Sequence, residues 1–229
     1  MDIIEYNGEL VELSHSEGRN EMRVKASILI MLFFLTGCFA ESTETPPGNK
    51  PDPVTIKLTP VELFKGDAAK FQLFLGSMSG AFKLTYEGKK PNASLDIDIW
   101  KDGRKADSAG FIGDLFHSTE ESKSGHEVEV IISIDTVSLE GRDDYSTIKV
   151  CTVDQQGSSL STFTIPWEKG LKARGLIKSA EPFSFTTDQP VYVFGMHATS
   201  SNEIIMADLS PESLSRTEWA LVFTLRFAE

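Results

Sequence analysis

The chain has 229 residues, 34 Asp and Glu against 22 Lys and Arg, a formal net charge of −12 at pH 7, two cysteines and 40% hydrophobic residues. That is enough apolar material for one substantial core, and it excludes a fibrous, collagen-like or wholly disordered chain. The acidic balance leaves no surplus of cations to neutralise phosphates, which argues against a nucleic-acid binder. Two cysteines cannot make a disulfide framework.

Residues 1–21 carry Asp2, Glu5, Glu9, Glu12, Glu17 and Glu21 against Arg19 alone, the wrong charge for the start of an exported chain. A basic start appears only at Met22-Arg23-Val24-Lys25, followed by the apolar run Ala26 to Leu35 with Ile28, Leu29, Ile30, Leu32, Phe33 and Phe34. Translation is therefore expected to begin at Met22, and Glu17-Gly18-Arg19 to correspond to a purine-rich ribosome-binding stretch. The basic flank and apolar run have the order of a secretory signal. From Ala26 to Ala40 the run falls short of the ~20 residues that a membrane-spanning helix needs.

The run ends in Leu35-Thr36-Gly37-Cys38, which resembles the lipobox of bacterial lipoproteins. The resemblance implies a thioether-linked diacylglycerol on Cys38, cleavage of the signal just before it, and a place on the outer face of the cytoplasmic membrane. Residues 1–37 are then leader and signal. Two acyl chains anchor stably where one binds only marginally, because each buried CH₂ contributes ~0.8 kcal/mol. Loss of residues 1–37 removes three basic and six acidic residues, leaving 19 against 28 and a net charge of −9.

Residues 38–53 read as a tether, with Pro46, Pro47, Pro51 and Pro53 supplying four of the ten prolines. Such a stretch reaches at most ~45 Å at ~3.1 Å per residue. From Val54 to Glu229 the pattern is alternation of period two, interrupted by Gly, Pro and Asp/Asn/Ser clusters. Val54-Ile56-Leu58, Phe71-Leu73-Leu75, Phe82-Leu84-Tyr86, Leu95-Ile97-Ile99 and Val128-Val130-Ile132-Ile134 each alternate. Lys101-Asp102-Gly103-Arg104 reads as a hairpin turn. A second hairpin joins Tyr145–Val153 to Leu160–Trp167 through Gln155-Gln156-Gly157-Ser158. Phe183–Phe185, Val191–His197 and Ala220–Phe227 complete the strands. Only Ser210-Pro211-Glu212-Ser213-Leu214 reads as helix, from Ser at the N-cap and Pro at N1. These features predict a single all-β domain over residues 54–229, an antiparallel two-sheet β-sandwich with a β-barrel as the alternative.

Candidate sites are sparse. Cys151 lies in a strand pattern and reads as a buried, unreactive thiol. His117, His126 and His197 have no metal-ligand spacing, and His126-Glu127 reads as a solvated edge. The loop Glu140-Gly141-Arg142-Asp143-Asp144, with Asp135 upstream, lacks calcium-loop spacing and reads as a turn. Asp96 and Asp98 share a strand face with Trp100; a glycan-cleaving pair needs acids facing each other across ~5 to 9 Å, so a solvated polar face explains them better. Lys169, Lys172, Arg174 and Lys178 form the one local run of positive charge, either a contact for anionic lipid or wall polymer or lysines guarding an edge strand. Trp167 and Trp219 read equally as core residues or as ligand platforms. No motif for a metal, nucleotide or other cofactor is present. In stretches such as Ser146–Val153 and Ser161–Trp167 the domain resembles the β-rich lipoproteins of low-GC Gram-positive bacteria, a resemblance that implies no activity. The expectation is a membrane-anchored extracytoplasmic lipoprotein with a non-catalytic domain that binds a ligand, a surface polymer or a protein partner. The alternative is an extracytoplasmic hydrolase acting on glycan or cell-wall polymer.

Overall fold

A computed structural model describes residues 53–116, 126–137 and 144–228. Residues 1–52, with Cys38 and the expected signal and most of the expected tether, His117 and residues 140–143 of the acidic loop lie outside them. The strands are β1 (Thr55–Val61), β2 (Ser79–Tyr86), β3 (Asn92–Lys101), β4 (Arg104–Ile112), β5 (His126–Val137), β6 (Tyr145–Val153), β7 (Ser158–Pro166), β8 (Ala173–Lys178), β9 (Phe183–Thr186), β10 (Val191–Thr199) and β11 (Trp219–Ala228). They form two separate sheets, ordered β7-β6-β5-β2-β1-β9 and β4-β3-β11-β10-β8. Every pairing is antiparallel. The fold is a two-sheet sandwich and not a closed barrel.

Alternation decides which faces meet. Val128, Val130, Ile132 and Ile134 of β5 are buried between the sheets with Phe82, Leu84 and Tyr86 of β2. On the outer face Lys83 of β2 pairs with Glu127 of β5 at 2.7 Å. Strand β11 is different, being buried from Trp219 to Leu225 on both faces. Leu221, Phe223 and Leu225 enter the main core, whereas Ala220 and Val222 join a second cluster with Trp100, Ile177 and Leu214. The cover over this outer face is the connection between β10 and β11. There Ser210 caps the single-turn helix α2 (Pro211–Leu214) by accepting the Ser213 N–H, and Pro211 occupies the first turn.

The β3–β4 hairpin turns on Asp102 (φ 49°) and Gly103 (φ 72°), the positive pair that a type I′ turn requires. It also fastens the cover: the Asp102 N–H donates to Glu218 O and the Gly103 N–H to Thr217 O, both at 2.9 Å.

Four expectations need correction. Phe71, Leu73 and Leu75 do not alternate along a strand; a 3₁₀ turn (Gly66–Phe71) runs into the single-turn helix α1 (Gln72–Leu75). Gly66 and Gly76, both at positive φ, bound a stretch too short for the apolar spacing to discriminate, and Leu73 and Phe74 are left 94% and 86% exposed. Cys151 is half-buried, because β6 turns Ile148 and Val150 inward and Cys151 outward; burial, then Glu129, pushes its thiol pKa up, which disfavours the reactive thiolate. His126 opens β5, an interior strand of its sheet, and stacks on Tyr86 at 4.9 Å between ring centroids. Finally, the face of β3 that carries Asp96, Asp98 and Trp100 is not a solvated one: Asp98 and Trp100 are buried.

Candidate functional site

On the outer face of the second sheet, register places Gly175 of β8, His197 of β10, Ala220 of β11 and Trp100 of β3 side by side in one row. Glycine and alanine leave the floor low next to the imidazole. A Cβ on Gly175 would stand 3.2 Å from His197 Nε2 and 3.3 Å from Ile204 Cδ1. Over this floor the β10–β11 connection leaves a cavity of about 530 Å³, lined among others by His197, Ile204, Ile205, Met206, Arg216 and Glu218. That volume lies within the range that holds small organic ligands.

The polar groups of the cavity divide into satisfied and unsatisfied. Glu218 accepts from Thr199 Oγ1 at 2.8 Å, from the Ser200 N–H at 2.9 Å and from Ser200 Oγ at 3.2 Å. These bonds, that of the Ser200 N–H foremost, hold its carboxyl below the ordinary carboxylate range. His197 is 8% exposed, and among the described residues no hydrogen bond or ion pair reaches its ring. Burial pushes its pKa below the usual histidine value, so the ring is neutral near pH 7, with one N–H to donate and one lone pair to accept. At the mouth, Ile205 and Met206 stand in water at 85% and 96% exposure, a pair of large apolar side chains that marks a binding surface more than a folded one.

The depressed His197 pKa has a consequence for stability. Between its folded value and about 6.5 the unfolded chain holds the proton that the folded one lacks, so the contribution of this group is complete above about 6.5 and declines as pH falls. Urea midpoints of the wild type are expected to drop from pH 6.5 downwards, with at most about 1.4 kcal/mol per pH unit from this one residue. His197→Gln should flatten that part of the profile; Glu203, Arg216 and Glu218, which line the same cavity, are present in both proteins. An unchanged profile would show that His197 takes up its proton without loss of stability.

Asp96 and Asp98 project from one strand, β3, and each is held by cations. Arg226 Nε lies 2.5 Å from Asp96 Oδ2, and its Nη2 3.6 Å from Asp98 Oδ2. Thr224 Oγ1 donates to Asp98 Oδ2 at 3.0 Å. Lys105 Nζ stands 2.5 Å from Asp98 Oδ1, an ion pair out of hydrogen-bonding alignment. Trp100 packs edge-on against Tyr192, with its Nε1 buried and unpartnered.

The four basic residues are spread along the connection before β8 and β8 itself. Arg174 donates to Thr136 Oγ1 and lies over the Trp167 ring at 5.9 Å. Lys178, at the far end of β8 and roughly 20 Å along the strand from Lys172, borders a hollow with Glu62 and Lys65. Lys169 and Lys172 are exposed in the connection before β8, beside Glu168, which pairs with Lys101 at 2.5 Å. β8 is itself an edge strand. Trp167 and Trp219 pack edge-to-face at 5.3 Å, half-buried and buried respectively. Asp135 and Asp144 lie on β5 and just before β6. Among the described residues no group of three or more His, Cys, Asp or Glu side chains could hold a metal ion.

In the sequence His197 has no ligand spacing to mark it. The one local signal of its setting is Gly175 and Gly195 inside strand patterns, which mark places where something approaches the backbone closely. A wider hollow of about 1000 Å³ surrounds Tyr86, His126 and Lys57, but its walls run at Pro53 and His126 into segments outside the described residues. Compared with known proteins, the chain matches no family model, no curated relative and no solved structure.

Proposed function

We propose that this is a lipid-anchored extracytoplasmic protein whose β-sandwich binds a ligand or partner and performs no chemistry of its own. The observation that carries the anchor is the run from Met22 to Cys38: a basic flank, an apolar stretch too short to span, and Leu35-Thr36-Gly37-Cys38 at its end. Among the described residues no helix is long and apolar enough to cross a membrane. The binding half of the reading is supported by the unpartnered, buried His197 over an apolar-mouthed cavity. A glycan hydrolase acting through Asp96 and Asp98 is disfavoured by their ion pairs with Arg226 and Lys105, which leave no acid and base poised on opposite sides of a substrate.

Fractionation of expressing cells tests the anchor. The wild-type chain is expected in the membrane fraction, and Cys38→Ala should appear there only as an uncleaved precursor or leave it altogether. A fully processed Cys38→Ala chain that stays as membrane-bound as the wild type would refute acyl anchoring.

A further inference from the structure

We propose that the cavity beneath the β10–β11 connection binds an uncharged amphiphile, its apolar body against Ile204, Ile205 and Met206 and a hydroxyl or amide group hydrogen-bonded to His197. This deepens the binding-module reading and rests on it, but not on the lipid anchor.

The argument runs from the polar floor to the apolar mouth. A ring more than nine-tenths buried with no protein hydrogen-bond partner bears part of the desolvation cost that a full set of bonds would offset. The cost is relieved when a bound group supplies what a neutral imidazole lacks, one acceptor or one donor, as a hydroxyl or amide does. Gly175 lies against the ring from β8, and a Cβ there would stand 3.2 Å from Nε2 and 3.3 Å from Ile204 Cδ1, crowding two groups that line the cavity. Of the other polar atoms of the cavity, Glu218 Oε2 already has three donors, and Ser213 Oγ accepts the Asp208 N–H at 3.0 Å. The neutral His197 ring offers a hydroxyl or amide both a donor and an acceptor.

Charge selects against ions. Glu203 and Glu218 against Arg216 leave the lining net negative, which repels an anion. A cation would be drawn by Glu203 and Glu218 and repelled by Arg216, and would have to shed water against isoleucine and methionine. An uncharged head with an apolar tail meets neither cost. Ile205 and Met206, almost fully in water without a ligand, would gain cover from the tail, and methionine adapts readily to different shapes.

Three probes with the same six-carbon tail separate the possibilities: 1-hexanol, hexylammonium and hexanoate. The full chain carrying Cys38→Ser, so that no acyl chain is attached, is labelled at His Cε1, and the His197 resonance is assigned by its loss in His197→Gln. 1-Hexanol is expected to shift that resonance saturably, with a Kd on the order of millimolar for so small a ligand. Its affinity should exceed that of either ion about tenfold, and His197→Leu should lower it about tenfold, as loss of one buried hydrogen bond dictates. Gly175→Ala, whose Cβ would crowd His197 and Ile204, should weaken it as well and serves if His197→Leu does not fold. The proposal is overturned if no probe saturates, if hexanoate or hexylammonium binds as tightly as the alcohol, or if the alcohol binds equally well to Gly175→Ala. None of these outcomes bears on the membrane partition of Cys38 variants, so the two readings fail separately.

Discussion

Gly103→Ala is expected to cost the domain about 3 kcal/mol or more, a large effect for removal of no contact at all. Two terms add. At φ 72° an L side chain costs roughly 1 to 2 kcal/mol. In addition the new Cβ would sit 1.9 Å from Ser215 O and 2.5 Å from its carbonyl carbon, a backbone obstacle that no rotamer change relieves. The α2 turn must lift, and with it the bonds from Asp102 and Gly103 to Glu218 and Thr217 and the seat of Leu214 against Trp100, Ala220 and Val222. Gly88→Ala is the control: its φ is 89° but nothing lies within 4 Å of the added atom, so only the conformational term of about 1 kcal/mol applies. Chemical denaturation of both variants measures the difference. Equal losses would mean that the close approach of the β3–β4 turn to the cover contributes nothing.

Exchanging Lys105 and Arg226 together for methionine should destabilise the fold by about 3 to 5 kcal/mol. Asp98 is 1% exposed, and a carboxylate so placed is tolerable only with its cations; removal of one side of a buried pair leaves an uncompensated charge. Thr224 Oγ1 remains as one donor, which moderates the loss without abolishing it. Each single exchange should cost much less, because the other cation stays, and the excess of the double over the sum of the singles reports their shared partner. Adding Asp98→Asn to the double exchange should recover most of the stability. A double variant no weaker than the sum of its singles would show that Asp98 is held by hydrogen bonding and packing instead of by charge.

Much of this architecture is legible in the chain because antiparallel strands with one wet face leave a period of two. That is why β1, β2, β3, β5 and β6 stand out, and why Asp102-Gly103 and Ser210-Pro211 can be placed: each is a local requirement of φ or capping. The same logic fails for Phe71-Leu73-Leu75, since three apolar residues between two glycines alternate equally well on a helical turn that is left in water. It fails for Asp98 because a charge on an outer face is expected to be wet. Its burial depends on Arg226, Lys105 and a cover contributed by distant parts of the chain. The His197 cavity is the least legible feature. Near residue 197 only Gly195 hints at it, and its walls come from the β10–β11 connection, which folds back over the ring.

The most direct test of the central claim, a sandwich held at a membrane by acylation, is mass spectrometry of the N-terminal peptide from the chain in the membrane fraction. The expected mature chain begins at Cys38 and carries the mass of a diacylglycerol on that residue. A membrane-bound chain whose peptides run unmodified through Gly37-Cys38-Phe39 would contradict it.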